Sequence, residues 1–117
     1  MLPVLSLLLL SVTGIAVAER PDVDIDAPDT ARAGEPVLAI VEVEHEGSGP
    51  GHYVDYIKLY DGNTLLKEWT YGPGNYVKGG EWAVTYSSSF DRTAHLRAVA
   101  HCTLHGDDFD TEDISVY

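Results

Sequence analysis

The chain has 117 residues, of which 19 are acidic and 7 are basic, so its formal net charge is −12 at pH 7. A surface this negative repels phosphate backbones, which argues against nucleic acid as a partner. Hydrophobic residues make up 44% of the chain, enough for a folded core, and the single cysteine leaves no internal disulfide to form.

The chain opens with an apolar run, residues 1–18, that ends in the small-residue pattern Ala16-Val17-Ala18. This pattern predicts a secretory signal peptide that is cleaved before Glu19. A retained membrane anchor is disfavoured, because the run is barely long enough to span a bilayer and Gly14 interrupts it. We therefore expect a secreted or periplasmic protein with no membrane association after cleavage, whose mature region, residues 19–117, forms a single domain.

Apolar and polar residues alternate along the first two predicted strands, residues 22–27 and 37–45, with the period of half-buried β-structure. In the second strand the valines share one face with His45, which ends the strand. Leu38 and Ile40 on the opposite face indicate burial on both sides early in this strand. Between the two strands, residues 28–36 are expected to form a connection.

The loop 46–51 carries three glycines and a proline, so its backbone can fold back closely on itself. A third strand is predicted at 52–60. Strict alternation in that strand places Val54 and Tyr56 on one face and Ile57 on the other.

Asp61-Gly62 predicts a hairpin turn into a strand at 65–71. Further strands are predicted at 81–90 and 94–101, followed by a short acidic strand at 110–117. Short strands separated by turn signals predict an all-β, immunoglobulin-like β-sandwich of about seven antiparallel strands in a single domain. The Cys-Trp-Cys signature of true immunoglobulin domains is missing, so the prediction concerns the architecture only.

Cys102 is the sole thiol, and it serves either as a small buried hydrophobe, as a redox group or as a metal ligand. His105 lies three residues further on and Gly106 allows a turn, so thiolate and imidazole can point at one ion. A straight strand would place them on opposite faces. His45 and His52 bracket the glycine-rich loop, and the four side chains together predict one mononuclear metal site.

The other two histidines, His95 and His101, lie opposite Cys102 by strand alternation and are expected on a half-exposed face. A bulge at His101 would turn it into a substitute ligand. The carboxylates within residues 107–113 are interpreted as a solvated acidic turn rather than as a calcium site.

With these segments placed, the mature chain resembles the iron domain of superoxide reductases, the desulfoferrodoxin and neelaredoxin family. The similarity covers nearly all of the mature region and is most specific in HYVDYIKLY at 52–60 and CTLHG at 102–106, with weaker matches at 25–28 and 34–36. It implies an immunoglobulin-like sandwich, in agreement with the strand pattern. It also implies a ferrous ion with four equatorial histidines, an axial cysteine thiolate and a sixth position open to superoxide.

Carried over position by position, the resemblance assigns His45 and His52 to the histidines that open and close a ligand loop. Cys102 corresponds to the axial thiolate and His105 to the last equatorial ligand. The implied activity is the one-electron reduction of superoxide to peroxide at a non-haem iron, with an external electron donor that re-reduces the iron.

The sequence departs from the family pattern at Glu19-Arg20-Pro21, where the family has Glu-Lys-His. One ligand position therefore holds a proline, which cannot bind metal. The lysine that some members place near the open position is also absent, so the cation that attracts superoxide is reduced to Arg20. Cys102 and Arg20 are thus the residues that the resemblance implicates in catalysis.

Two other functions also fit the residues. Two histidines and a cysteine on a secreted β-sandwich suit a copper site for electron transfer or metal carriage as well as an iron site. The second of these functions is that of a metal-free binding module, which would dock a partner through its strand edges. The sequence leaves the formation of a homo-oligomer open.

Overall fold

The computed structural model describes residues 20–46 and 48–117, so the predicted signal peptide lies outside the described residues. The described part folds into β-strands and contains no helix, and hence none long and apolar enough to cross a membrane. The strands are β1 (Asp22–Asp26), β2 (Thr30–Ala31), β3 (Val37–His45), β4 (Val54–Asp61), β5 (Thr64–Thr70), β6 (Gly80–Ser88), β7 (Ala94–Cys102) and β8 (Gly106–Val116).

The strands form two sheets, one with the order β1-β3-β6 and one with the order β2-β8-β7-β4-β5. The pairings are antiparallel except for the two-residue pairing of β2 with β8, which is parallel. The predicted all-β, immunoglobulin-like sandwich is confirmed, and β2 is an addition to it, formed within the segment predicted to be a connection.

The core lies between the two sheets and consists of the inward residues of β3, β4 and β7. Val41, Ile57 and Leu59 are fully buried, and Leu96 and Ile114 close the core from β7 and β8. Each such aliphatic side chain contributes about 1.5–3 kcal/mol when it is removed from water. Alternation along β3 places its last inward residue, His45, at one end of this core.

Two strand predictions differ from the structure. Leu38 is 49% exposed, because the three-stranded sheet packs on the core with one face only and leaves the other face in water. The last strand is also longer than predicted, since β8 begins at Gly106, immediately opposite Cys102. Its acidic first half hides the alternation from a hydrophobicity pattern, although every second residue there is partly buried.

β4 contains a β-bulge near its start. Val54 pairs with Cys102 and Tyr56 pairs with His101, so Asp55 is an extra residue between two consecutive pairs. The prediction that Val54 and Ile57 lie on opposite faces of this strand is therefore wrong, because both side chains are buried in the core. The bulge lets β4 begin with a core residue directly after the loop that carries His52.

Candidate metal centre

One end of the sandwich gathers side chains from both sheets. His45 ends β3 in the three-stranded sheet, and Cys102 ends β7 in the five-stranded sheet. His52 lies in the loop that precedes β4, and His105 lies in the turn between β7 and β8. The site is therefore built where strand ends of the two sheets meet.

Donor atoms of His45, His52 and Cys102 lie within 4.8 Å of one another. For comparison, two donor atoms on opposite sides of one ion, each bound at about 2.1 Å, are roughly 4.2 Å apart, which is close to this spacing. The ring of His52 also makes edge contacts with the rings of His45, at 5.0 Å between centroids, and of His105, at 4.9 Å. The structure thus brings the four predicted side chains together, three of them as a compact donor cluster with His105 beside it.

The ring nitrogens of this cluster fit a bound metal. Nδ1 of His45 lies 3.3 Å from the hydroxyl of Ser48, so Nε2 is the ring nitrogen that remains to bind a metal. The Nε2 atoms of His45 and His52 are both buried, and neither has a hydrogen-bond partner among the described residues. A buried polar atom without a partner costs about 1–3 kcal/mol. A metal ion bound to these lone pairs would remove that cost.

The surroundings of His45 favour the form in which it can bind a metal. Burial lowers the pKa of His45, and the nearby His52 and His105 lower it further. His45 is therefore a neutral imidazole at neutral pH, with a lone pair available to a metal. Cys102 is completely buried, which shields its sulfur from water.

Thr103 connects the two loops that carry the ligands. Its hydroxyl donates to the carbonyl of Gly51 and accepts from the N–H of Tyr53, each at 3.3 Å. Its own N–H donates to the carbonyl of Tyr53 at 2.9 Å. Because His52 lies between Gly51 and Tyr53, these bonds fix its position relative to Cys102. No motif in the sequence identifies this role of Thr103, and its adjacency to Cys102 is the only signal that points to it.

The loop between β5 and β6, residues 71–79, borders the same site. Tyr76 stacks on Tyr53 at 5.3 Å between ring centroids, and Gly80 pairs with His45. Gly80 has a φ of 77°, a conformation that favours glycine and turns the chain into β6 beside His45. The loop also carries an exposed cation, Lys78, which belongs to no motif in the sequence.

The N-terminal segment reaches the site from the opposite side of β3. Asp22 pairs with Glu44, so Pro21 lies level with His45, and its side chain is fully buried. Arg20, one residue earlier, is exposed. The position that the family resemblance assigns to a missing histidine is therefore next to His45 and is filled by a proline.

The structure places His95 and His101 outside the cluster, as strand alternation predicts. Nδ1 of His101 lies 2.6 Å from a carboxylate oxygen of Asp55, and its ring stacks parallel to that of Tyr56 at 4.9 Å. His95 pairs with Asp113 at 3.0 Å on the exposed face. The bulge is in β4 rather than at His101, so it does not turn His101 towards the site.

The family model of desulfoferrodoxin matches residues 18–107, a span that contains the four predicted ligands and the N-terminal departure. The chain belongs to the desulfoferrodoxin family. No curated protein is significantly similar to it in sequence.

Solved structures share the fold of this desulfoferrodoxin-family chain. The superoxide reductase (neelaredoxin) from Ignicoccus hospitalis is 26% identical, with 85% of this chain and 81% of that chain covered and a TM-score of 0.60. A putative superoxide reductase from Thermotoga maritima is 20% identical, with 86% and 87% covered and a TM-score of 0.63. The CARDB domain of a Pyrococcus furiosus protein, in complex with di-metal ions, is 23% identical, with 84% and 94% covered and a TM-score of 0.60.

Proposed function

We propose that this protein binds one mononuclear non-haem iron and reduces superoxide to peroxide. The proposal is supported above all by two buried histidine Nε2 atoms without partners that lie beside the only thiol of a desulfoferrodoxin-family chain. The proposed ligands are His45, His52, Cys102 and His105.

When bound, ferrous iron supplies one electron to superoxide, which takes up two protons to give hydrogen peroxide, and an external donor returns the electron. The chain's own residues prepare the site for this chemistry. Cys102 would bind the iron through its buried sulfur, and thiolate ligands donate electron density to iron. The hydroxyl of Ser48 holds His45 by Nδ1 and leaves Nε2 for the metal.

Attraction of an anionic substrate is the step that the overall charge of −12 opposes. Arg20 and Lys78 are both exposed. The strand register places both near the end of β3. Arg20 precedes Pro21 on the β1 side, and Lys78 lies two residues before Gly80 on the β6 side. We assign to these two cations the local attraction of superoxide to the site.

The proposal includes export of the chain by residues 1–18, to a secreted or periplasmic location. Superoxide is an anion and does not readily cross a bilayer, so a protein outside the cytoplasm meets superoxide formed there. Mass spectrometry of the protein recovered from its native host would give the mature N-terminus. A chain that retains residues 1–18 would contradict this part.

The experiment that tests the function compares the purified protein, loaded anaerobically with ferrous iron, with its Cys102→Ser variant. We expect one iron per chain and an acceleration of superoxide decay, measured by pulse radiolysis, that the variant loses. His95→Ala, on the exposed face, serves as the matched control and keeps the activity.

Stoichiometric iron without any acceleration of superoxide decay would contradict the reductase function. Preferential copper binding with a thiolate-to-copper absorption band would instead establish the copper alternative.

A further inference from the structure

His101 and Tyr56 form an aromatic pair on the outer face of the five-stranded sheet, on the other side of β7 from the donor cluster. Their rings are parallel to within 1°, with 4.9 Å between centroids. Nδ1 of His101 also lies 2.6 Å from a carboxylate oxygen of Asp55. The side chain of His101 is 31% exposed, so solvent and a partner can reach it. A half-exposed histidine is thus held both by stacking and by a hydrogen bond, although the proposed ligand set does not use it.

The β-bulge in β4 creates this arrangement. Asp55 is the extra residue of the bulge, so it and the residue after it, Tyr56, both contact His101. In a regular strand, consecutive residues point to opposite faces of the sheet. Bulges near functional sites often re-aim a side chain in this way. The bulge therefore directs two contacts onto one imidazole ring.

His101 is joined to Cys102 by a single peptide bond. Because consecutive residues of β7 point to opposite faces, His101 reaches the outer surface while Cys102 points into the sandwich. Cys102 is completely buried and belongs to the donor cluster. Electrons tunnel more readily through covalent bonds and stacked rings than across gaps. The aromatic pair and this peptide bond therefore provide a short path from the outer sheet face to the proposed metal ligand.

We propose that Tyr56 and His101 are the entry point for the electron that re-reduces the iron, and that the donor is a protein with a basic surface around its redox group. The donor loses one electron, which passes through the aromatic pair to the sulfur of Cys102 and reduces ferric iron to ferrous iron. No bond forms or breaks in this step, and no proton is transferred. The entry point rests on the proposed iron centre, to which it adds the chemistry of the donor and the place where it docks.

The charge around the aromatic pair determines which donor fits. Asp55 contacts His101 directly, and Asp107, which is exposed, faces His101 across the pairing of β7 with β8. The chain as a whole has a charge of −12. This charge repels superoxide, but it attracts a basic protein and speeds the encounter with it.

Lys58 and Arg97 also lie on this sheet face, and neither reverses that charge. Lys58 lies 4.4 Å over the ring of Tyr56, and its ammonium is 3.9 Å from a carboxylate oxygen of Glu68. Arg97 lies over the ring of Tyr60, further along β7. A docking donor therefore meets carboxylates beside the aromatic pair.

Zinc-substituted cytochrome c is the probe that tests the entry point. Its surface is basic, and its photoexcited triplet state is a strong one-electron reductant, so the driving force does not limit the transfer. We expect the protein loaded with ferric iron to shorten the triplet lifetime, and the protein loaded with zinc, which cannot accept the electron, to leave it unchanged. The effect should fade above about 0.1 M salt, because salt screens the attraction between the two proteins.

Two substitutions locate the path of the electron. His101→Ala and Tyr56→Leu should each slow the transfer severalfold while iron content stays at the wild-type value, because the metal ligands are untouched. His95→Ala removes an outward-facing histidine from the same strand and should transfer at the wild-type rate. Unchanged transfer in both folded path variants would overturn the proposal. A loss in Tyr76→Ala in their place would also overturn it and move the entry point to the stacked pair of Tyr53 and Tyr76.

Asp107→Lys tests the docking surface. Reversal of this charge beside His101 should slow the encounter with the basic probe by about 10-fold. Asp113→Lys makes the same change on the same strand and face, but next to His95, and should have a much smaller effect. Equal slowing in the two variants would show that net charge alone attracts the donor and would overturn the docking site. A protein that takes up the electron through the aromatic pair but leaves superoxide unchanged would fail only the proposed function.

Discussion

Cys102 and His101 are adjacent in β7 but have opposite surroundings. The sulfur of Cys102 is completely buried beside two histidines, whereas His101 faces outward onto Tyr56 and Asp55. We expect Cys102→Ser to abolish any thiolate charge-transfer band and to lower metal affinity much more than His101→Ala does, because the thiolate is the only soft anionic ligand at the site. Chelator competition combined with absorption spectroscopy measures both effects.

Equal losses of metal affinity in the two variants would mean that His101 reaches the metal. His95→Ala provides the baseline for removal of an outward-facing histidine from the same strand, and it should match His101→Ala rather than Cys102→Ser.

Glu44 and Glu81 face each other across β3 and β6 on the outer sheet face. Their contact raises the pKa of Glu44 above its usual value of 4.5, chiefly because the protonated Glu44 donates a hydrogen bond to the Glu81 carboxylate. A raised pKa means that the folded state binds more protons than the unfolded state, so this contribution to stability is present below pH 4.5 and is lost as pH rises. Glu81→Gln should therefore raise Tm at pH 7, by roughly 1–3 °C, and have little effect at pH 4.

Thermal unfolding followed by circular dichroism at the two pH values measures this difference. Asp26→Asn removes the same charge from the same sheet face, but opposite Ile40, and serves as the control. A gain in Tm at pH 7 that is equal in the two variants would reflect net charge alone and would exclude a specific effect of the Glu44–Glu81 pair.

The candidate ligands could be predicted from the sequence because their chemistry is visible in it. A lone cysteine followed by a histidine and a glycine, and two histidines around a glycine-rich loop, carry donor atoms that few other residue types offer. The supporting residues Ser48, Thr103 and Tyr76 could not be found in this way. Hydroxyl and phenol side chains are common in loops, and their roles depend on neighbours far away in sequence, such as Tyr53 opposite Thr103.

At the scale of the strands, alternation predicted the end of β3 correctly and the start of β4 incorrectly. His45 faces the core because β3 is regular over nine residues. In β4 the bulge at Asp55 shifts the alternation, and no pattern in a single strand reveals a bulge, because it is defined by the pairing with β7. Leu38 shows the same limit, since its exposure depends on how many layers cover the sheet.

The turn after β7 gives a prediction at the same scale. Thr103→Val keeps the shape of the side chain but removes two hydrogen bonds that tie this turn to the loop before β4. We expect a loss of about 1 kcal/mol in the free energy of unfolding. Metal affinity should fall by roughly 10-fold, because groups that hold a metal ligand in its orientation strengthen metal binding.

Urea unfolding and chelator competition measure the two effects of Thr103→Val. Thr103→Ser keeps the hydroxyl and should behave as the wild type. A Thr103→Val protein that is less stable but binds metal normally would show that His52 is positioned by other contacts.

For the molecule as a whole, the proposed substrate is an anion, and it would have to approach a chain of charge −12. We expect slower superoxide reduction than in family members with a full ligand set. The double variant Pro21→His with Arg20→Lys should raise the rate by ~10-fold, because Pro21 lies level with His45, where an imidazole would complete the ligands. Pulse radiolysis of both forms across ionic strength measures the change, and the electrostatic part should fade above about 0.1 M salt.

Iron content of the two forms must be equal for that comparison to hold. No gain in the double variant, with iron bound in each, would show that the N-terminal segment does not act on the site.

The candidate metal centre also has a mechanical consequence for the fold. His45 belongs to one sheet and Cys102 to the other, so an ion held by both would be a cross-link between the two layers. True immunoglobulin domains place a disulfide between their sheets, whereas this chain has a single cysteine. Closing a loop of roughly 60 residues in the unfolded chain is worth about 4 kcal/mol in the chain-entropy model. The donor cluster is thus positioned to serve as the inter-sheet tie that a lone thiol cannot form by itself.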